Sequence, residues 1–197
     1  MNQKIWMWGL VGVVAGIALT IVAAPTWGGM MGYRGSLTGP VDAHFIEQMI
    51  PHHEDAITMA GMALEKAQHA EITQLAKDIK RTQSEEIEKM SQWYKSWFGK
   101  EVPDTFAGTG HDMGSGMMHM GMMGDATDVS QLETAPHFDK AFIEEMIPHH
   151  QMAVMMAQML KQATNRPEMQ QLAQDIIEAQ TREITSMRSW YRAWYGQ

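Results

Sequence analysis

FIEQMIPHH at residues 45–53 returns as FIEEMIPHH at residues 142–150, and the likeness continues on both sides of each copy. Residues 42–99 align with residues 139–196 at a constant offset of 97, without a gap and with 27 identities in 58 positions. So close an internal match means that both copies share one local fold, which is settled before any secondary structure is assigned. Within the first copy, apolar residues recur at helical spacing in Phe45, Met49, Ala56, Ala60 and Ala63, then in Leu75, Ile79, Ile87, Met90 and Trp97. Each copy is predicted to be two helices, with Asp42 and Asp139 as N-caps and the turn near residues 68–71. Pro167 falls in the first turn of its helix, where the missing N–H costs nothing. A connection this short makes the two helices antiparallel neighbours, and one hairpin alone leaves its apolar stripes uncovered. Two hairpins cover each other. The expected fold is all-α, an antiparallel four-helix bundle formed by both copies over residues 40–99 and 137–197.

The rest of the 197-residue chain and its composition bound the function. With 45% hydrophobic and 19% charged residues there is enough apolar material for a core, which excludes global disorder. A formal charge of -8 leaves little to neutralise phosphates, so no nucleic-acid partner is expected. The chain has no Cys, which excludes disulfides, thiolate zinc sites and cysteine nucleophiles. In place of Cys stand 21 Met and 9 His, a bias that points to soft-metal chemistry.

Residues 5–24, IWMWGLVGVVAGIALTIVAA, carry no charge and are long enough to cross a hydrocarbon core of roughly 30 Å. Residues 1–26 are therefore expected to be a transmembrane anchor or signal helix, with Val22-Ala23-Ala24 resembling a small-residue cleavage site. Lys4 on the near side favours an exported remainder, periplasmic or otherwise extracytoplasmic. Residues 27–39 look like a Gly/Met tether. Residues 100–136 form a Met/His/Gly-rich linker in which HDMGSGMMHMGMMG spans residues 111–124, too rich in Gly for a stable helix.

The metal-ligating candidates follow from helix geometry. At about 100° per residue, Met49, Ala56 and Ala60 share a line that His52 and His53 flank, so both imidazoles border the buried face. Pro51 removes the hydrogen bond to the Glu47 carbonyl and predicts a kink there; Pro148 does the same beside His149 and His150. On the second helix Gln83, Glu86 and Met90 fall among Ile79, Trp93 and Trp97, and a buried carboxylate needs a partner. His52 and His53 lie roughly 17 residues before the turn and Glu86 roughly 16 after it, which in an antiparallel hairpin is equal height. Met49 and Met90 match in the same way. The predicted layers are Met49 with Met90, then His52/His53 with Glu86; the second copy gives Met146 with Met187, then His149/His150 with Glu183. Joined, they would form a His, Met and Glu cluster, with the ligating His of each pair left open. In the linker, His111, Met113, Met117, Met118, His119, Met120, Met122 and Met123 are further candidates. Met59, Met62, Met156 and Met159 read first as adaptable packing and second as additional ligands, and the Trp93/Trp97 and Trp190/Trp194 pairs read as bundle-end packing. Thioether with imidazole suits copper, Cu(I) above all, with Cu(II) or Ag(I) as alternatives. Zinc is the weaker candidate.

The assembled residues resemble the CopM-like exported copper-binding family, domain of unknown function 305. The pattern is carried by Asp42, Phe45, Met49, His52, His53, Ala56, Met59 and Ala60, then Gln83, Glu86, Ile87, Met90 and Trp93. It recurs at Asp139, Phe142, Met146, His149, His150, Ala153, Met156 and Ala157, then Gln180, Glu183, Ile184, Met187 and Trp190. The resemblance implies a ferritin-like helical bundle that binds copper outside the cytoplasm, in resistance or trafficking; it assigns no ligands. Three other functions compete. A ferritin-like dimetal oxidase needs several carboxylates and a Glu-x-x-His pair, which occurs nowhere in the chain. A b-haem bundle would use His and Met, and a helical interaction module would use its Met surfaces without metal. The expected function is non-catalytic: Cu(I) buffering or transfer, with metal ions, the membrane and a copper-transfer protein as partners.

Overall fold

The structure is a computed structural model, and it describes residues 38–103 and 129–196. By its internal contacts the chain divides into residues 1–34 and 35–197, and every described residue belongs to the second unit. The expected anchor at residues 5–24 and the Met/His run at residues 111–124 lie outside the described residues. Among the described residues no helix is long and apolar enough to cross a membrane.

The described chain is helical throughout: α1 (Thr38–Lys66), α2 (Ala70–Phe98), α3 (Val129–Thr134), α4 (Phe138–Ala163) and α5 (Pro167–Tyr195). α1 continues through Pro51 and α4 through Pro148. α2 and α5 each stop at a glycine, Gly99 with φ 69 and Gly196 with φ 71, left-handed positions that a Cβ would strain. Pro167 opens α5 as its spacing requires. α1 packs on α2 and α4 on α5, and the two hairpins meet chiefly through α1 and α4. The end of the stretch read as a linker is not all loop. α3 packs on α4 and α1, burying Leu132 in the core, and Lys66 Nζ donates to the Glu133 carbonyl at 2.7 Å.

Asp42 and Asp139 are not N-caps. α1 begins four residues before Asp42, and the cap position of α4 is His137. Both carboxylates are buried and reach into the opposite hairpin. Asp139 accepts the backbone N–H groups of Gln68 at 3.1 Å and His69 at 2.8 Å and pairs with His69 Nδ1 at 2.5 Å. It therefore serves the exposed N-terminal donors of α2 from another chain segment, which also meets its own need for donors. Asp42 Oδ2 lies 3.0 Å from Arg166 Nε, and Arg166 holds the place of His69 at the 97-residue offset. His69 stacks on Trp194 with centroids 3.7 Å apart, and the Arg166 guanidinium lies 4.1 Å over Trp97. The turn of each hairpin thus rests against the open end of the other.

That antiparallel docking divides the core in two. One half joins Ala56 to Ile79 of the first hairpin with Phe142, Met146, Ile184 and Met187 of the second. The other joins Phe45, Met49, Met90 and Tyr94 with Ala153, Met156, Leu160, Leu172 and Ile176. Residues 52 and 53, 83 and 86, and their counterparts 149 and 150, 180 and 183 fall between the halves along α1, α2, α4 and α5, as one polar layer.

Candidate metal centre

The layer holds four imidazoles, two carboxylates and two amides. His53 Nε2 lies 2.7 Å from Glu86 Oε2, and His150 Nε2 lies 2.6 Å from Glu183 Oε2. Equal distance from the turn gives these contacts their height, since both are made within one hairpin. The carboxylate accepts, so each Nε2 carries a proton, and in the neutral imidazole each Nδ1 is a lone pair. His53 and His150 are fully buried, and their Nδ1 atoms have no protein partner. His52 Nε2 donates to the His149 carbonyl at 3.1 Å, which leaves its Nδ1 bare as well. The His149 ring lies against the His52 backbone without a well-aligned hydrogen bond, and the buried side-chain oxygens of Gln83 and Gln180 have no partner.

A buried polar atom without a partner costs roughly 1–3 kcal/mol. Four imidazole lone pairs and two amide oxygens in that condition, all in one layer, suit a bound electron-pair acceptor better than a packing role. Protonation does not offer the escape. Burial, reinforced by the neighbouring His53 and His150, lowers the His52 pKa to about 3. Burial and the neighbouring His52, His150 and His53 lower that of His149 to about 2. The two rings face each other at 3.7 Å and stay neutral, the form in which imidazole binds metal.

Met49 and Met90 are together, as their heights predict, and so are Met146 and Met187, but the pairs lie in opposite core halves. Antiparallel docking places one pair on either side of the imidazole layer. Met59 and Met156 are buried packing residues of opposite halves, Met62 is partly buried, and Met159 is exposed. Among the described residues, no three His, Asp or Glu groups converge on a common metal position. The linker candidates from His111 to Met123 lie outside the described residues. Two bracing contacts escaped the sequence reading: Tyr94 donates to Glu47, and Tyr191 donates to Glu144. Their recurrence at the same offset was the available signal. The tryptophan pairs do stack at the bundle ends, with centroids 5.6 and 5.8 Å apart.

The family described as "Domain of unknown function (DUF305)" matches residues 42–191. Among solved structures, CopM in its Cu(I)-bound form is 48% identical, covers 79% of this chain and 98% of its own, and superposes with a TM-score of 0.67. CopM in its Cu(II)-bound form gives 52% identity, 78% and 97% coverage and a TM-score of 0.69; Ag-bound forms match as well. A DUF305 fragment from Deinococcus radiodurans is 31% identical over 76% of this chain and 94% of its own, with a TM-score of 0.62. Uncharacterized protein L153 of Acanthamoeba polyphaga mimivirus is 45% identical over 51 residues, 26% of this chain and only 34% of the viral protein.

Proposed function

The chain belongs to the DUF305 family, and on that premise we propose that it is an exported copper-binding protein whose bundle holds Cu(I) in the imidazole layer without catalysis. The similarity to CopM, solved with Cu(I), Cu(II) and Ag, supports a copper-related function. One observation carries the finer reading. Each hairpin supplies a buried imidazole whose Nε2–H is held by a carboxylate and whose Nδ1 is bare, the arrangement by which metal-binding histidines are oriented. Glu86 and Glu183 serve as acceptors for those imidazoles, where a dimetal oxidase would need them on the metal. A sparse set of neutral nitrogen donors favours a monovalent d10 ion, which accepts low coordination numbers, over Zn2+, which takes four ligands.

In this reading the fold is a ferritin-like bundle used as a closed holder, suited to buffering copper or handing it on to a transfer protein. The apolar residues 5–24 provide export and attachment to the membrane, and the Met/His run at residues 111–124 is a second ligand source. The test is chelator-buffered Cu(I) titration of the chain lacking residues 110–124, beside the same chain with His53→Ala and His150→Ala. The parent should bind copper and the double variant should lose it. Equal stoichiometry and affinity in the two would overturn the assignment.

A further inference from the structure

α4 carries more methionine than its core position uses. From His149 onward, Met152, Met155 and Met159 follow at +3, +6 and +10, and each step of three or four residues returns to the same side of a helix. Met156 on the same flank is absorbed by packing, and Met152 is partly buried. Met155 and Met159 are 41% and 60% exposed, on a surface where helices ordinarily carry polar residues. The backbone does not demand apolar side chains there, because the first hairpin has Asp55 and Thr58 at the positions of Met152 and Met155.

The stripe runs along the His149 side of α4. His149 lies at the margin of the polar layer, slightly exposed where His53 and His150 are not at all, and unlike those two its ring is held by no carboxylate. Thioether sulfur binds soft monovalent ions and has no proton to lose on binding. The unbranched Met side chain has three rotatable bonds, enough for sulfurs one helical turn apart to meet at a common ion.

We propose that Met152, Met155 and Met159 form a surface site for a soft monovalent ion, Cu(I) or Ag(I), from which His149 and the buried imidazoles are loaded. Transfer exchanges sulfur lone pairs for a nitrogen lone pair at constant oxidation state, so it needs no redox partner or proton. Loading through this site rests on the core reading above; ion binding by the three thioethers does not.

Silver titration of the full chain, with methyl-labelled methionine and ring-labelled histidine, tests both parts. The Met155 and Met159 methyl signals, assigned through single Met→Leu variants, should shift on adding Ag(I). The triple variant M152L/M155L/M159L, nearly isosteric with the parent, should lose that ion and fill its imidazoles more slowly while keeping their final affinity. Unmoved Met155 and Met159 signals in a protein whose histidines are filled would overturn the surface site. An unchanged filling rate in the triple variant would overturn its loading role. Histidine signals that move in no protein would defeat the core reading alone, and the methyl shifts would still decide the surface site.

Discussion

The two hairpins hold the same imidazole–carboxylate pair, at 2.7 Å in the first and 2.6 Å in the second, yet they differ wherever those pairs meet something outside their own hairpin. His52 makes a well-aligned hydrogen bond to the backbone of α4, whereas His149 meets the backbone of α1 less squarely. Asp139 grips His69 and two backbone N–H groups, whereas Asp42 among the described residues pairs with Arg166. The outer edge of α1 shows Asp55 and Thr58, and that of α4 shows Met152 and Met155. Contacts set inside one hairpin are alike because the same residues stand at the same heights on two antiparallel helices. Contacts between hairpins, or with solvent, are free to diverge. The proposed metal chemistry belongs to the first kind, and the proposed way in belongs to the second.

The largest expected effect tests whether the two pairs act together. If one ion is shared across the layer, His53→Ala and His150→Ala should each abolish core copper binding as fully as the double variant does, a strongly non-additive result. Chelator competition on the three variants decides this, and half-loss in each single variant would mean that each hairpin holds its own ion. Next, Glu86→Gln and Glu183→Gln each leave an imidazole with a weaker acceptor and should each weaken core affinity by about 10 to 100-fold. Unequal losses would break the equivalence that the two distances indicate.

Thermal unfolding separates the two end contacts. Asp139→Ala orphans two backbone donors at the start of α2 and should cost about 1–3 kcal/mol. Asp42→Ala leaves Arg166, 34% exposed and still stacked on Trp97, and should cost below about 1 kcal/mol. Equal costs would show that Arg166 depends on its partner as much as the α2 terminus does. The smallest effect comes from giving the first hairpin the edge of the second. Asp55→Met with Thr58→Met, beside the existing Met62, should change stability by about 0.5 kcal/mol or less and add a new set of silver-shifted methyl signals.

Much of this was legible in the chain itself. The repeat at an offset of 97, the helical spacing and the short turns determined two antiparallel hairpins, and the fixed rise per residue put Glu86 opposite the His52/His53 pair and Met49 opposite Met90. Periodicity fixes height and side along one hairpin, and for those contacts nothing more is needed. It does not fix how one hairpin is turned against another. Tertiary structure alone decided that His53 and His150 take the carboxylates while His52 and His149 face each other. The same docking sent Met49 and Met146 to opposite halves of the core and drew Asp42 and Asp139 across to the far hairpin instead of capping their own helices. A buried carboxylate goes to the donors that the packed bundle leaves unmet, and which donors those are is settled only when both hairpins are in place.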